Sequence, residues 1–382
     1  MSKTKTAIVT GSGGLIGSQS VKFLIDKGYY VVGIDNDMRS YFFGDDASTK
    51  PSTEKLATDF EDNFNPLNID IRDYVTLETV FSALASDDKY DLDIIIHAAA
   101  QPSHDWAANE PLTDFSINAT GTVNMLELTR LHAKDATFIF TSTNKVYGDR
   151  PNFDYYKSGS SDCNLLIEEL ETRYEGIDEF SKQPTEFDEG KSIDHCKHSV
   201  FGASKVAADI MCQEYAKYWN MNIGIFRGGC LTGPNHAGAE LHGFLAYLVK
   251  CIVNDKPYTI FGYKGKQVRD NIHSEDLLKM FWQFHQNPRQ GEVYNAGGGR
   301  DNSTSVLEAI DTINKIAGTN WKNYTVSDDA RIGDHIWYIS DLSKFKSHYP
   351  EWDITISLEE TIRQMVEFEK SKIKETEDAK AI

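Results

Sequence analysis

The chain has 382 residues, 40% of them hydrophobic, and a formal net charge of -19. That length buries a large core in one large or two medium domains, and the acidic balance argues against nucleic acid or an anionic membrane as a nonspecific partner. No stretch approaches the roughly 18 apolar residues of a membrane span, residues 1–5 are polar where a secretory leader would begin, and the five cysteines are scattered with no Cys-x-x-Cys pair. A cytoplasmic chain with reduced thiols and no metal site is therefore expected.

The first predicted element is a strand over 6–10, which breaks into Gly11-Ser12-Gly13-Gly14-Leu15-Ile16-Gly17 and resumes at helical spacing. Gly11 suits the sharp turn, Gly14 lets a phosphate approach the backbone, and Gly17 allows the helix to pack closely on its strand. The first amides of that helix then face an anion. A second strand over 30–34 ends at Asp35 and Asn36, where a carboxylate accepts from an adenosine ribose. Asp35 favours NAD over NADP, whereas Arg39 weighs the other way. From Asp35 to Glu61 the chain reads as a polar, turn-rich loop over the adenosine end of the cofactor. A short strand over 67–70 follows, with Asp70 placed to bond the adenine amino group and Ile71 beside it.

Residues 75–84 carry helical periodicity, and 92–97 is the continuous apolar run of a buried parallel strand. It opens into Ala98-Ala99-Ala100-Gln101, small residues against which either a cofactor or simple tight packing would press. Asn118 leads a further helix and 136–141 is the next strand, so β-α alternation is sustained over roughly 140 residues. Such alternation implies an α/β fold with a Rossmann-type doubly wound parallel sheet, in which ligands bind at the carboxyl ends of the strands. Gly11, Asp35, Asp70, Ala98 and Ser142 all fall at those ends.

Residues 150–196 form an acid- and aromatic-rich insertion with Tyr155, Tyr156, Tyr174 and Phe187, read as a lid or substrate wall, with a surface decoration as the alternative. A long helix from Phe201 to Trp219 and a strand over 223–227 close a first domain over 1–227, to which 266–290 returns. The remainder, 228–370, is expected to be a smaller α/β substrate domain with helices near 242–253, 275–285 and 305–317. Residues 371–382 read as a charged tail.

Two strings, Ser142-Thr143-Asn144-Lys145-Val146-Tyr147-Gly148 and His198-Ser199-Val200-Phe201-Gly202-Ala203-Ser204-Lys205, would meet the reactive end of a dinucleotide. With the glycine turn they resemble the extended short-chain dehydrogenase/reductase family of nucleotide-sugar epimerases and dehydratases, over nearly the whole chain. Within that family the Thr143–Gly148, Gly265–Asp270 and Glu171–Tyr174 strings look most like CDP-paratose (CDP-tyvelose) 2-epimerases. Family dehydratases carry an acid pair where this chain has Asn144 and Lys145, which makes 4,6-dehydration a poor fit.

The resemblance implies NAD as cofactor, a nucleotide-diphosphate sugar as substrate and a homodimer built on helices including 123–131 and 205–219. It implies a cofactor set of Gly11, Gly14, Leu15, Ile16, Gly17, Asp35, Asn36, Asp70, Ile71, Ala98, Ala99, Ala100, Asn118, Ser142 and Lys205. Substrate contacts are expected from Asn144, Lys145, His104, Gln267, Arg269 and Arg331, the two arginines gripping the diphosphate, with His273, Asn271 and 242–244 nearby. Catalysis is expected from Thr143 and from a tyrosine and lysine at i and i+4, both aimed at one substrate hydroxyl.

Lys205 is present, but its partner position is Phe201. Three readings stay open: a change introduced to trap substrate, a different base, or a fold that binds cofactor and sugar without turnover. Thr143, Tyr147, His104, His198 and Cys230 are the alternative bases, and spacing singles out none. The resemblance implies an NAD-dependent epimerase, of C2 of a CDP-hexose, with a silent binding protein or another redox reaction such as 4-epimerisation as alternatives.

Overall fold

The computed structural model describes residues 3–153, 165–234, 243–330 and 334–380. The strands in chain order are β1 (Thr4–Thr10), β2 (Tyr30–Ile34), β3 (Phe64–Leu67), β4 (Tyr90–His97), β5 (Thr137–Thr143), β6 (Leu165–Glu169), β7 (Tyr174–Asp178), β8 (Ile223–Gly228), β9 (Cys230–Thr232), β10 (Tyr258–Phe261), β11 (Val268–His273), β12 (Glu292–Ala296), β13 (Ser303–Ser305), β14 (Tyr324–Ser327) and β15 (Trp337–Tyr338). Seven of them form one sheet in the order β12-β8-β5-β4-β1-β2-β3, every neighbouring pair parallel. This is the doubly wound, Rossmann-type sheet expected from the β-α alternation.

Successive residues of a strand point to opposite faces, and both faces here are covered. Ala7, Val9, Ile94, Ile96 and Ile139 enter one core with Val21, Phe281 and Phe284. Ile8, Ile95, Phe138 and Phe140 enter the other with Leu77, Phe81, Met125 and Cys212. A parallel strand buried on both faces must be apolar throughout, which is why 92–97 is legible as a strand in the sequence.

A second lobe has its own core of Leu248, Val249, Ile260, Ile310, Ile313, Trp321, Ile362 and Met365. Its helix Val306–Ala317 begins with a capping box, the Ser305 hydroxyl accepting from the Glu308 amide while the Glu308 carboxylate accepts from the Ser305 amide. The lobe carries a small sheet in which β11 pairs with β9, β13 and β15.

Several expectations change. The stretch after Asp35 is helical, over Met38–Phe43 and Lys50–Asp59; the second helix buries only Leu56, so it leaves no apolar period to read. The third strand ends at Leu67, before Asp70. Asn118 lies in a π-type turn, Ser116–Thr120, ahead of the helix Gly121–His132. The chain's return to the first core starts inside the expected 266–290, at the helix Ser274–Gln286, and extends past it to β12. β11 belongs to the second lobe, whereas the helix Ser274–Gln286 and β12 complete the main sheet and its core.

Within 150–196, β6 and β7 form an antiparallel hairpin tied to the second lobe. The Tyr174 amide donates to the Lys266 carbonyl at 2.9 Å, and Arg300 pairs with Glu175 at 2.9 Å. The last helix, Leu358–Lys380, runs through most of the stretch read as a tail. Tyr155, Tyr156, Cys163, His242 and Arg331 lie outside the described residues.

Candidate active site

β1 ends at Thr10, and the chain turns at once. Gly11 takes φ +66°, a region open to glycine, and a Cβ there would meet the Ala99 amide nitrogen at 2.9 Å. A Cβ on Gly17 would lie 1.9 Å from the Gly11 carbonyl oxygen. No side chain fits at that contact between helix and turn. Before Gly14, by contrast, a Cβ would touch only that same carbonyl, at 3.3 Å, so the start of the helix Leu15–Asp26 stays open to a ligand. At the end of β2, Asp35 accepts from the Gly13 amide at 2.9 Å, the Asp37 amide at 2.8 Å and the Thr49 hydroxyl at 3.0 Å. It thereby holds the glycine turn and the first added helix in place. Asn36 donates to Asp70 at 3.0 Å, and Asp70 is held below its usual range: burial would raise it, but hydrogen bonds from Arg72 and Asn36 prevail.

From this turn one cleft of about 540 Å3 runs across the strand ends to the second lobe. It gathers Gly11, Gly14, Leu15, Ile16, Gly17, Asp35, Asn36, Asp70, Ile71, Ala98, Ala99, Ala100, His104, Ser142, Thr143, Asn144, Lys145, Phe201, Lys205, Gln267 and Arg269. Asn118 is the exception among the described candidates. It lies behind the wall, where its amide nitrogen donates to the Gln101 carbonyl at 3.0 Å, Asp114 at 3.0 Å and Ser204 at 3.1 Å. It braces two cleft-lining elements, because the π-type turn directs its side chain inward.

At the middle of the cleft, the Lys205 ammonium donates to the Thr141 carbonyl at 2.9 Å and lies 4.2 Å from the Phe140 ring centroid. Burial lowers its pKa to about 8. The Thr143 hydroxyl oxygen accepts from the Lys145 amide at 3.2 Å, and the Ser142 hydroxyl donates to Asp209 at 2.7 Å. Phe201 faces the cleft one helical turn before Lys205, with the His104 ring 5.0 Å away and inclined at 76°.

Toward the second lobe, Asp334 pairs with Arg269 and lies 3.6 Å from the Lys145 ammonium. Burial would raise the Asp334 carboxyl, but the two cations hold it well below the usual range. Desolvation lowers Lys145 to about 8, with Arg269 adding to the fall and Asp334 opposing it. Asp334 was not anticipated as a site residue; its only sequence signal is its place in the string with Arg331.

The alternative bases separate by position. Tyr147 is fully buried and donates to Asn295 at 2.8 Å, which removes it from the cleft. His198 is 3.5 Å from the Cys196 sulfur and does not line the cleft. Cys230 does, but burial pushes its thiol up to about 12. His273 accepts from the Glu275 amide at 3.1 Å to cap its helix, so it is structural. Among the described residues there is no group of three potential metal ligands and no helix long and apolar enough to cross a membrane.

A parallel sheet with its glycine turn, a carboxylate at the end of the second strand and a buried lysine along one cleft defines a dinucleotide-binding α/β protein of the dehydrogenase type. The chain belongs to the extended short-chain dehydrogenase/reductase family of nucleotide-sugar epimerases and dehydratases. Two family profiles match it: GDP-mannose 4,6 dehydratase over residues 8–157 and the NAD dependent epimerase/dehydratase family over residues 177–297. It is 28% identical to CDP-paratose 2-epimerase of Salmonella typhi, over 95% of this chain and 99% of that protein. It is 26% identical to UDP-glucuronate 4-epimerase of Thermodesulfobacterium geofontis, over 96% of each.

Among solved structures it resembles a tyrosine-to-phenylalanine mutant of UDP-glucuronic acid 4-epimerase from Bacillus cereus, in complex with NAD and a fluorinated sugar nucleotide. The TM-score is 0.71 and the identity 25%, over 96% of this chain and 99% of that one. UDP-glucose 4-epimerase from Bifidobacterium longum shares the fold, with a TM-score of 0.74 at 21% identity over 96% of this chain and 99% of that one. The cofactor is NAD, and the residues present fit it: open backbone at Gly14, side chains excluded at Gly11 and Gly17, and a carboxylate at Asp35, although Arg39 lines the same end of the cleft.

Proposed function

We propose that the protein is an NAD-dependent nucleotide-sugar epimerase acting at C2 of a CDP-hexose through a transient keto-sugar. The observation that carries this reading is the position of Lys205, whose ammonium lies at the strand ends in the same cleft as the glycine turn, Thr143 and Arg269. Bound NAD supplies a hydride acceptor and donor within that cleft.

Lys205 is largely cationic at neutral pH with a pKa of about 8; it fixes the nicotinamide ribose and favours negative charge on the reacting oxygen. The Thr143 oxygen accepts from the Lys145 amide, which fixes its side chain and leaves its O–H to donate to the sugar oxygen. Arg269 grips the diphosphate through a planar guanidinium, with Gln267, Asn144 and Lys145 along the same wall. Arg331 is read as a second diphosphate contact. The absence of an acid at Asn144 and Lys145 favours epimerisation over dehydration.

We also read the chain as a cytoplasmic homodimer. The helices Gly121–His132 and Ser199–Trp219 leave Leu131, Ile210 and Tyr218 exposed, which suits a shared helical face.

The test is to incubate NAD-loaded protein with CDP-paratose, CDP-tyvelose, CDP-glucose, UDP-glucose and UDP-glucuronate and to follow the sugar ring protons by NMR. A C2 epimer from a CDP-sugar is the expected product. A C4 epimer would make it a 4-epimerase, and no product from any sugar would leave the second reading, a silent NAD and nucleotide-sugar binding protein. Phe201 is what favours that alternative, since it has no hydroxyl to exchange a proton.

A further inference from the structure

On the epimerase reading, on which the following rests, a sugar hydroxyl must release a proton as its carbon is oxidised and recover it when the carbon is reduced. Phe201 has no atom that takes a proton, and Tyr147 and His198 do not reach the cleft. The His104 ring meets the Phe201 ring edge-on and lines the cleft beside it.

Its position is fixed by two elements. The short helix His104–Asn109 starts at Ser103, whose hydroxyl accepts from the Trp106 amide, and this presents the imidazole to the cleft. On the other side, His104 Nδ1 lies 2.7 Å from Ser199 Oγ. Ser199 adopts φ +62°, a left-handed conformation unusual for a residue with a side chain, and its oxygen also accepts from the Gly202 amide at 3.2 Å. Ser199 is therefore held, at some backbone cost, where its oxygen meets both the helix that carries Phe201 and Lys205 and the imidazole across from it. An Nδ1–H donated to Ser199 Oγ makes Nε2 the basic nitrogen.

We propose that His104, oriented by Ser199, is the general acid and base that replaces the phenol missing at position 201. In the forward step the sugar O–H bond breaks and its proton passes to His104 Nε2. The C–H bond breaks with its electron pair passing to the nicotinamide, and a C=O bond forms. In the return step the imidazolium gives the proton back to the same oxygen as the carbon is reduced from its other face. The charged groups lining this part of the cleft are Asp105, Lys145, Lys205, Arg269 and Asp334.

The experiment compares the NAD-loaded full chain with His104→Gln, Ser199→Ala and the double variant His104→Gln with Phe201→Tyr. kcat and KM are measured across pH on the CDP- or UDP-sugar that the unmodified protein epimerises, and NAD affinity is measured by calorimetry. The expected result is a fall in kcat of about 100-fold or more in His104→Gln with NAD affinity unchanged, and recovery of activity on adding Phe201→Tyr. The acid limb of kcat/KM should vanish in His104→Gln and move in Ser199→Ala. Retention of kcat within roughly threefold in His104→Gln, or a loss explained by lost NAD binding, overturns the assignment while leaving the epimerase reading intact. No epimer from the unmodified protein with any of these sugars overturns both.

Discussion

A lysine at the end of a parallel sheet is costly to desolvate, and Lys205 is only 3% exposed. Its ammonium is held by a carbonyl and an aromatic face, the Thr141 oxygen and the Phe140 ring. With its pKa lowered to about 8 by burial, it is cationic below that value and loses its charge above it. On the proposed role, kcat/KM should therefore decline as pH rises through about 8. Lys205→Arg, which keeps its charge at any such pH, should lack that alkaline decline whatever activity it retains, and Lys205→Met should lose activity by about 100-fold or more. A pH profile of the three proteins decides the matter: a decline that persists in Lys205→Arg assigns it to another group.

At the scale of elements, local signals and tertiary ones part company. The glycine turn was readable because Gly11 and Gly17 answer to backbone contacts within one turn, so the requirement is written in adjacent letters. The central strands were readable from their continuous apolar runs. The helix Lys50–Asp59 was not, since a helix that buries one leucine has no stripe. Nor was the cluster of Lys145, Arg269 and Asp334, whose members come from distant stretches and meet only when two lobes close on the cleft. Asn118, which the family resemblance implies as a cofactor contact, sits in a π-type turn and hydrogen-bonds within the wall, a placement that nothing in its neighbouring letters announces. Helix ends are again local: Ser305 and Glu308 satisfy each other's amides at the start of Val306–Ala317. Because the Ser305 hydroxyl also donates to the distant Thr172 carbonyl at 2.7 Å, Ser305→Ala should destabilise the protein by about 1–2 kcal/mol, measured as a lowered denaturant midpoint with an unchanged m-value. No shift in midpoint would show that the cap carries no net stability.

For the whole molecule, the decisive feature is the strand order. β12 hydrogen-bonds along β8 at the edge of the main sheet, yet it is made only after the chain has left that sheet to build much of the second lobe. Phe226 on β8 packs against Phe281, Phe284, Tyr294 and Phe345, every one of them encoded later in the chain. During synthesis, then, the early half of the protein emerges with an open edge and a bare Phe226, and it must wait for Phe281, Phe284 and β12, ending at Ala296, before they are covered. A nascent chain in that condition is a natural client for a holdase chaperone. A fragment stopped at residue 290 should accumulate as aggregate, whereas one stopped after the last helix should stay in solution. Sedimentation of ribosome-released fragments would settle this, and a soluble monomer ending at 290 would show that the missing edge is not needed.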